Sequence, residues 1–310
     1  HRFAISSVAP AEAPAGSFAM PASRPSRASF DPSAPPAIET RRAPTGHLLV
    51  HPRVAGRDLG WFVLDTGAGA EVIDRKAADA ADMPSVGRTI TAGAGAAVTP
   101  TVFREGGRLD LGPFSLERAL YTEMDLSPIG AAMGVSLAGI LGYGVFARSV
   151  VAIDLAEPRV EIHDPARFAG EGLEWQVLLL HGRHPHVRAR FEGKEGLFRI
   201  DTGSGQGHVA FHAPAVERLK LLEGRPVRSA RAAGAGGLFE IRMGSVSSFE
   251  LGGRTFEETP AIFALRGAGA LDDPTTEGTI GAPLLANFHT VFDYRRARIA
   301  FVPEPGARPR

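Results

Sequence analysis

The sequence predicts an all-β protein with a few short helices, built as two similar lobes about a pseudo-twofold axis. Three observations carry that reading. A series of landmarks in the first half returns in the second half in the same order. The apolar runs are short, rich in Val, Ile, Leu and Phe, and bounded by glycine-containing turns, as strands are. In each half one such run ends on an aspartate followed by Thr-Gly.

The repeat is read first, because it sets the architecture. FVLDTGAG at 62–69 returns as FRIDTGSG at 198–205, an offset of 201 − 65 = 136. AGAG at 92–95 returns at 233–236, offset 141. LDLGPFSLERA at 109–119 answers FELGGRTFEET at 249–259, offset 140, and GILGYGVFARSVVAIDLAEPRVEI at 139–162 answers GTIGAPLLANFHTVFDYRRARIAF at 278–301, offset 139. One such match can arise by chance in an Ala/Gly-rich chain; the ordered series is a duplication. Two similar halves pack most readily in an isologous way, which implies the twofold axis.

Each half reads mainly as strands. HLLVHPRV and GWFVLD form a hairpin around Ala55-Gly56-Arg57-Asp58, and HVRARF and GLFRID its counterpart around Glu192-Gly193-Lys194-Glu195. A short apolar strand then follows (Glu71 to Asp74; His208 to Phe211), and after it a helix (RKAADAADM; APAVERLKL). Near the end of each half a helical turn (GVFARS; PLLANF) leads into the last strands. The expected organisation is a flexible Pro/Ala-rich segment over 1–42, a first lobe over 43–165, a connection over 166–182, a second lobe over 183–305 and a tail over 306–310.

Composition excludes several classes. Of 310 residues, 44% are hydrophobic and 22% charged, which is ordinary globular usage. Lys+Arg and Asp+Glu both number 34, so the charge balance offers no attraction to nucleic acid or to an anionic membrane. With no cysteine, disulfides, thiol catalysis and thiolate metal sites are ruled out. No apolar stretch approaches the roughly 18 residues of a membrane span. The chain starts at His1 without a signal-peptide pattern, and a Pro/Ala/Ser tether before a folded body predicts a location outside the cytoplasm, periplasmic or secreted.

The two aspartates carry the chemistry. A charge among strand-forming residues is costly unless something needs it there. A twofold axis would bring Asp65 and Asp201 face to face, and two carboxylates about 3 Å apart share one proton. Such a pair titrates as a unit. Its ionised member can take a proton from a water while the protonated member polarises a carbonyl, which is general acid–base hydrolysis of an amide. Gly67 and Gly203 permit the tight turn and close approach, and the hydroxyls of Thr66 and Thr202 can tie the two loops together.

At these residues the chain resembles the aspartic peptidases, over residues 43 to 305. The resemblance rests on the two Asp-Thr-Gly triplets and on the later Ile140-Leu141-Gly142 and Thr279-Ile280-Gly281. It implies a ψ-shaped crossing in each lobe, Asp65 and Asp201 as the catalytic pair, and support from Thr66, Gly67, Ala68, Thr202, Gly203 and Ser204. It also implies substrate-binding flaps at Gly93, Ala94 and Gly95 and at Gly234, Ala235 and Gly236, a peptide or protein substrate, and no cofactor or metal. The three tyrosines, 121, 143 and 294, lie outside both glycine-rich segments, unlike the flap tyrosine of pepsin-like enzymes. Asp-Thr-Gly-Ala is the retroviral form, but Tyr143-Gly144 and Ala282-Pro283 stand where retroviral enzymes carry Gly-Arg-Asn. The chain is thus most similar to the bacterial retropepsin-like group, duplicated into one polypeptide and expected to act as a monomer. In this superfamily a serine after Asp-Thr-Gly donates to its aspartate, so Ser204 implies that Asp201 ionises more readily and that Asp65 more often holds the proton. Ser204→Ala would then move the pH–rate profile upward. A non-cleaving peptide-binding module on the same fold is the alternative, and a peptidase whose own residues 1–42 cover its cleft is another.

The remaining polar clusters receive plainer readings. His181, His184 and His186 match no common zinc spacing and read as surface or connection histidines; His208 and His212 flank the strand after Asp201. Asp272 and Asp273 read as a solvated loop. Asp154 and Asp293 occupy equivalent places, with Arg159 and Arg298 as expected partners.

Overall fold

A computed structural model describes residues 27–93, 98–205, 207–234, 236–267 and 269–303. Two eight-stranded sheets dominate, and their strand orders correspond position by position. In the first the order is Thr40–Arg42, Leu48–Val50, Trp61–Leu64, Leu137–Leu141, Glu71–Asp74, Leu120–Met124, Val98–Glu105, Ser85–Ala92. In the second it is Leu179–His181, His184–Phe191, Lys194–Asp201, Gly278–Gly281, Val209–Phe211, Arg254–Ala264, Gly237–Leu251, Arg228–Gly234. The duplication read from the landmarks is therefore a duplication of topology.

The strands nearest the aspartates are buried on both faces. Glu71–Asp74, Val209–Phe211 and Gly278–Gly281 are buried throughout, so they read as continuous runs rather than alternations. In each sheet the late strand inserts between two early ones. Leu137–Leu141 runs parallel to Trp61–Leu64 and antiparallel to Glu71–Asp74; Gly278–Gly281 does the same between Lys194–Asp201 and Val209–Phe211. This is the ψ-shaped crossing that the resemblance implied, and it sets each Asp-Thr-Gly at the end of a strand held from both sides.

A third sheet is shared. Val150–Asp154, from the first half, pairs antiparallel with Phe288–Asp293, from the second, through Val151↔Phe292 and Ile153↔Thr290. Arg159–His163, Arg298–Pro303 and Trp175–Val177 complete it. The aromatic contacts across this seam include Phe146 against Phe292 at 5.5 Å, edge-on, and Phe146 stacked on Tyr294 at 5.4 Å. The second lobe has its own aromatic core, with Phe211 4.9 Å from Phe191 and 5.5 Å from Phe263. The five α-helices of the described residues are all short, and no helix is long and apolar enough to cross a membrane.

Three expectations change. Residues 28–42 are not a loose tether: Ala28–Phe30 pairs with Phe114–Leu116, Thr40–Arg42 pairs with Leu48–Val50, and Ile162 N–H donates to the Pro36 carbonyl at 2.8 Å. Sheet edges supply the hydrogen bonds that a segment of this composition cannot make within itself. Residues 1–26 and the tail 304–310 lie outside the described residues. The connection contains two short strands, Trp175–Val177 in the shared sheet and Leu179–His181 at the edge of the second lobe. Asp293, fully buried, does pair with Arg298 at 2.9 Å, and also with Arg296 at 2.9 Å. Asp154 instead caps its own turn, accepting from the Ala156 and Glu157 N–H groups at 2.8 Å each, while Arg159 lies 3.8 Å from Glu161.

Candidate active site

Asp65 follows the strand Trp61–Leu64, and its N–H donates to the Leu141 carbonyl at 2.9 Å. Asp201 closes the strand Lys194–Asp201, opposite Gly281. Each loop is tied onward to the helical turn after the inserted strand: Tyr143 N–H donates to the Ala68 carbonyl at 3.0 Å, and Ala282 N–H to the Ser204 carbonyl at 2.9 Å. Both carboxylates are half-buried and each is fastened from within, since Gly67 N–H donates to Asp65 Oδ1 at 2.7 Å and Gly203 N–H to Asp201 Oδ1 at 2.9 Å.

The threonines form a reciprocal bond set across the axis. Thr66 N–H donates to Thr202 Oγ1 and Thr202 N–H to Thr66 Oγ1, both at 3.0 Å. Their hydroxyls donate further, Thr66 to the Ile200 carbonyl at 2.8 Å and Thr202 to the Leu64 carbonyl at 3.0 Å. Both side chains are buried, so the four bonds are shielded from water. Thr66→Val would leave the Thr202 N–H without its partner in that interior. The expected cost is about 2 kcal/mol of stability, read by urea unfolding, with Thr66→Ser close to wild type.

The grip brings the aspartates together. A Cβ built on Gly67 would stand 2.5 Å from Asp201 Cγ, and one built on Gly203 would stand 2.4 Å from Asp65 Cγ. Each glycine thus leaves the space that the opposite carboxyl fills. Burial pushes the Asp65 carboxyl well above the usual carboxylate range; the Asp201 charge and a hydrogen bond with Asp201 push the same way, against the Gly67 and Gly203 N–H groups. Tyr294, behind the pair, is raised by burial and by the charges of Asp65 and Asp201.

Ser204 departs from its expected role. The hydrogen bonds of the described residues include none from its hydroxyl to Asp201, whose Oδ1 accepts from Gly203 N–H. The Ser204 Oγ lies toward the crossing, 3.3 Å from where a Cβ on Gly281 would be. With no bond to lose, Ser204→Ala is expected to leave a pH–rate profile in place.

The glycine-rich segments fall on the outermost hairpins of the two large sheets. Ser85–Ala92 pairs with Val98–Glu105 in one, and Arg228–Gly234 with Gly237–Leu251 in the other, the latter closing at Gly234↔Gly237. Gly93, Gly234 and Gly236 are described; Ala94, Gly95 and Ala235 lie outside the described residues. The first hairpin touches the other half, where Ala270 N–H donates to the Gly93 carbonyl at 3.1 Å. Ile90 and Leu238 on these hairpins are about 70% exposed.

His181 is exposed and His208 and His212 flank the strand Val209–Phe211, as the sequence implied, but His186 is not a surface residue. His186 is fully buried, its Nδ1–H donating to the His184 carbonyl at 3.0 Å, and His212 is buried between the Thr276 and Thr279 hydroxyls at 2.9 Å each. His47 and His184 stand beside the Asp-Thr-Gly loops, which the sequence reading missed. The signal was present: 184 − 47 = 137, nearly the offset of the aspartates. Asp273 is not free in solvent either, lying 3.4 Å from Arg199. Among the described residues no group of His, Asp and Glu could hold a metal ion.

Comparison with known proteins agrees with this geometry. A family model described as aspartyl protease matches residues 50–145 and again 187–284, one match in each half. Among solved structures the chain is similar in fold to the basic 7S globulin from soybean, at 12% identity and a TM-score of 0.50, over 92% of this chain and 98% of that one. None of the curated proteins matches the chain.

Proposed function

Given that this chain belongs to the aspartyl protease family, we propose that it is an aspartic endopeptidase in which Asp65 and Asp201 share one proton and activate one water. The observation that carries this is the mutual fit of each Asp-Thr-Gly glycine around the opposite carboxyl, within 2.4–2.5 Å of where a Cβ would stand. The two carboxyls share a hydrogen bond and feel each other's charge, and a pair so placed cannot both be ionised, which is the condition the chemistry requires.

The pair titrates as a unit, and we assign its shared proton to Asp65, whose carboxyl burial pushes above the usual carboxylate range. Asp65 donates a hydrogen bond to the scissile carbonyl. As the water oxygen bonds to the carbonyl carbon, Asp201 takes a proton from the water and Asp65 passes its own proton to the carbonyl oxygen, giving a tetrahedral diol. Asp201 then gives its proton to the amide nitrogen, the C–N bond breaks, and a diol hydroxyl returns its proton to Asp65 as the carboxylic acid forms, so that the pair again holds one proton. Because both aspartates come from one chain, the site needs no second copy, and the active form is a monomer.

The outer hairpins act as flaps that close over an extended peptide and pair with its backbone. The exposed Ile90 and Leu238 on them fit apolar substrate side chains next to the scissile bond. The test is digestion of a mixed synthetic-peptide library across about pH 3 to 8, with cleavage read by mass spectrometry and with a statine-type transition-state mimic as competitor. Cleavage that the mimic blocks supports the proposal. Peptides retained but never cleaved would put a non-cleaving peptide-binding module in its place.

A further inference from the structure

The pseudo-twofold axis relates a second pair of side chains. His47 precedes the strand Leu48–Val50 and His184 opens the strand His184–Phe191, in matching places of the two halves. Each reaches toward the other half. His47 belongs to the first lobe, yet its Nε2 lies 2.9 Å from the carbonyl oxygen of Gly203, in the loop that carries Asp201. A carbonyl only accepts, so Nε2 carries the proton. Nδ1, 2.8 Å from the Thr45 hydroxyl, is then the acceptor in the neutral ring. The same ring fills the space beside Gly205, where a Cβ would be 2.6 Å from His47 Cε1. His184 belongs to the second lobe and lies against the loop that carries Asp65, its Nε2 3.4 Å from the Cβ position of Gly69. Beside it, the Arg183 guanidinium donates to the Gly69 carbonyl at 3.4 Å.

We propose that His47 and His184 are a matched pair of positioning residues, each steadying from across the axis the loop that bears the opposite half's aspartate. The inference rests on the reading of Asp65 and Asp201 as the hydrolytic pair. The threonines fasten the two loops at the axis, but they do not reach the glycine carbonyls beyond it. Gly203 donates its N–H to Asp201 Oδ1, and its carbonyl lies in the next peptide unit, so a donor on that carbonyl fixes the far side of the residue that orients the carboxyl. Neither imidazole acts on the reacting atoms. Burial pushes both rings down from the ordinary histidine value; for His184 the Arg199 charge adds to this, and the Asp201 charge opposes it at both rings. His47 therefore works as a neutral donor, a role that a neutral amide of the right length can copy, while His184 packs against the Gly69 loop.

The test uses the full chain carrying His47→Ala, His47→Gln, His47→Asn and His184→Ala. Glutamine places an amide N–H where Nε2 stood; asparagine is too short. Two readouts are taken: kcat and KM on a peptide that the wild type cleaves, and a ¹³C-carboxyl NMR titration of the aspartates, which needs no turnover. His47→Ala, His47→Asn and His184→Ala are expected to lower kcat about tenfold with KM within about twofold, as misplacement of reacting groups does. They should also displace the titration steps of the pair, and His47→Gln should restore both. Folded alanine variants with wild-type kcat and titration would overturn the proposal, as would His47→Gln no better than His47→Asn. Should an alanine variant fail to fold, the glutamine–asparagine contrast decides. A wild type without turnover would overturn the hydrolytic reading alone, and the titration would still decide the positioning.

Discussion

Asp65→Asn is expected to abolish peptide cleavage, by roughly 10²–10⁴-fold or more, and at the same time to make the protein more stable at neutral pH. The two effects share one cause. Asparagine keeps the shape of the side chain and the hydrogen bond from Gly67 N–H, but it holds no transferable proton. Asp201 then has no protonated neighbour to polarise the substrate. The stability effect follows from linkage. The folded state pushes the Asp65 carboxyl above its ordinary range, chiefly by burial and next by the Asp201 charge, so the folded protein binds that proton more tightly than the unfolded chain does. Stability from this group is fully present below the ordinary carboxylate value and is lost as pH rises through the raised one. The asparagine variant does not suffer that loss. Its advantage in urea unfolding should be largest near pH 7 and should close as the pH falls toward 3. Wild-type cleavage by this variant, or a stability difference that does not change with pH, would contradict the assignment of Asp65 as the proton-holding member.

Gly203→Ala and Gly67→Ala should each damage stability and rate together. Neither glycine has a positive φ, so an added methyl meets no backbone penalty. The damage is one of space: the new Cβ would stand 2.4 Å from Asp65 Cγ in one case and 2.5 Å from Asp201 Cγ in the other. No rotation of the methyl relieves this, because the Cβ position is set by the backbone. Either the carboxyl moves or the lobes part, and parting them strains the threonine bonds at 3.0 Å. Overpacking of this kind costs about 1–3 kcal/mol. A carboxyl displaced by about 1 Å costs on the order of 10²-fold in rate. Thermal unfolding and single-peptide kinetics on both variants measure the two parts. Activity and stability close to wild type would show that the halves do not meet as closely as the glycines require.

Much of the fold was legible because duplication writes itself twice. The offset of 136 between the aspartates paired the two Asp-Thr-Gly loops, and the later offsets paired the inserted strands Leu137–Leu141 and Gly278–Gly281. The reading failed where a residue's partner lies far along the chain and leaves no local pattern. Residues 28–42 read as loose because their composition is poor in large apolar residues, yet their backbone finds sheet edges. Ser204 read as a donor to Asp201, but in the fold its hydroxyl lies toward Gly281. His186 read as a surface or connection residue, because an imidazole in sequence does not disclose the carbonyl that satisfies it when buried.

By itself the amino-acid order determined the strand-rich class, the two-lobe repeat and the identity of the two aspartates. Those depend on short-range periodicity and on a motif present in duplicate. Only the tertiary structure decided that the closing strands of the two halves pair in one shared sheet, that His47 and His184 reach across the axis, and that each glycine frames the other lobe's carboxyl. These facts depend on how two halves approach through space, and that distance is set by packing and by hydrogen bonds between residues more than 100 positions apart.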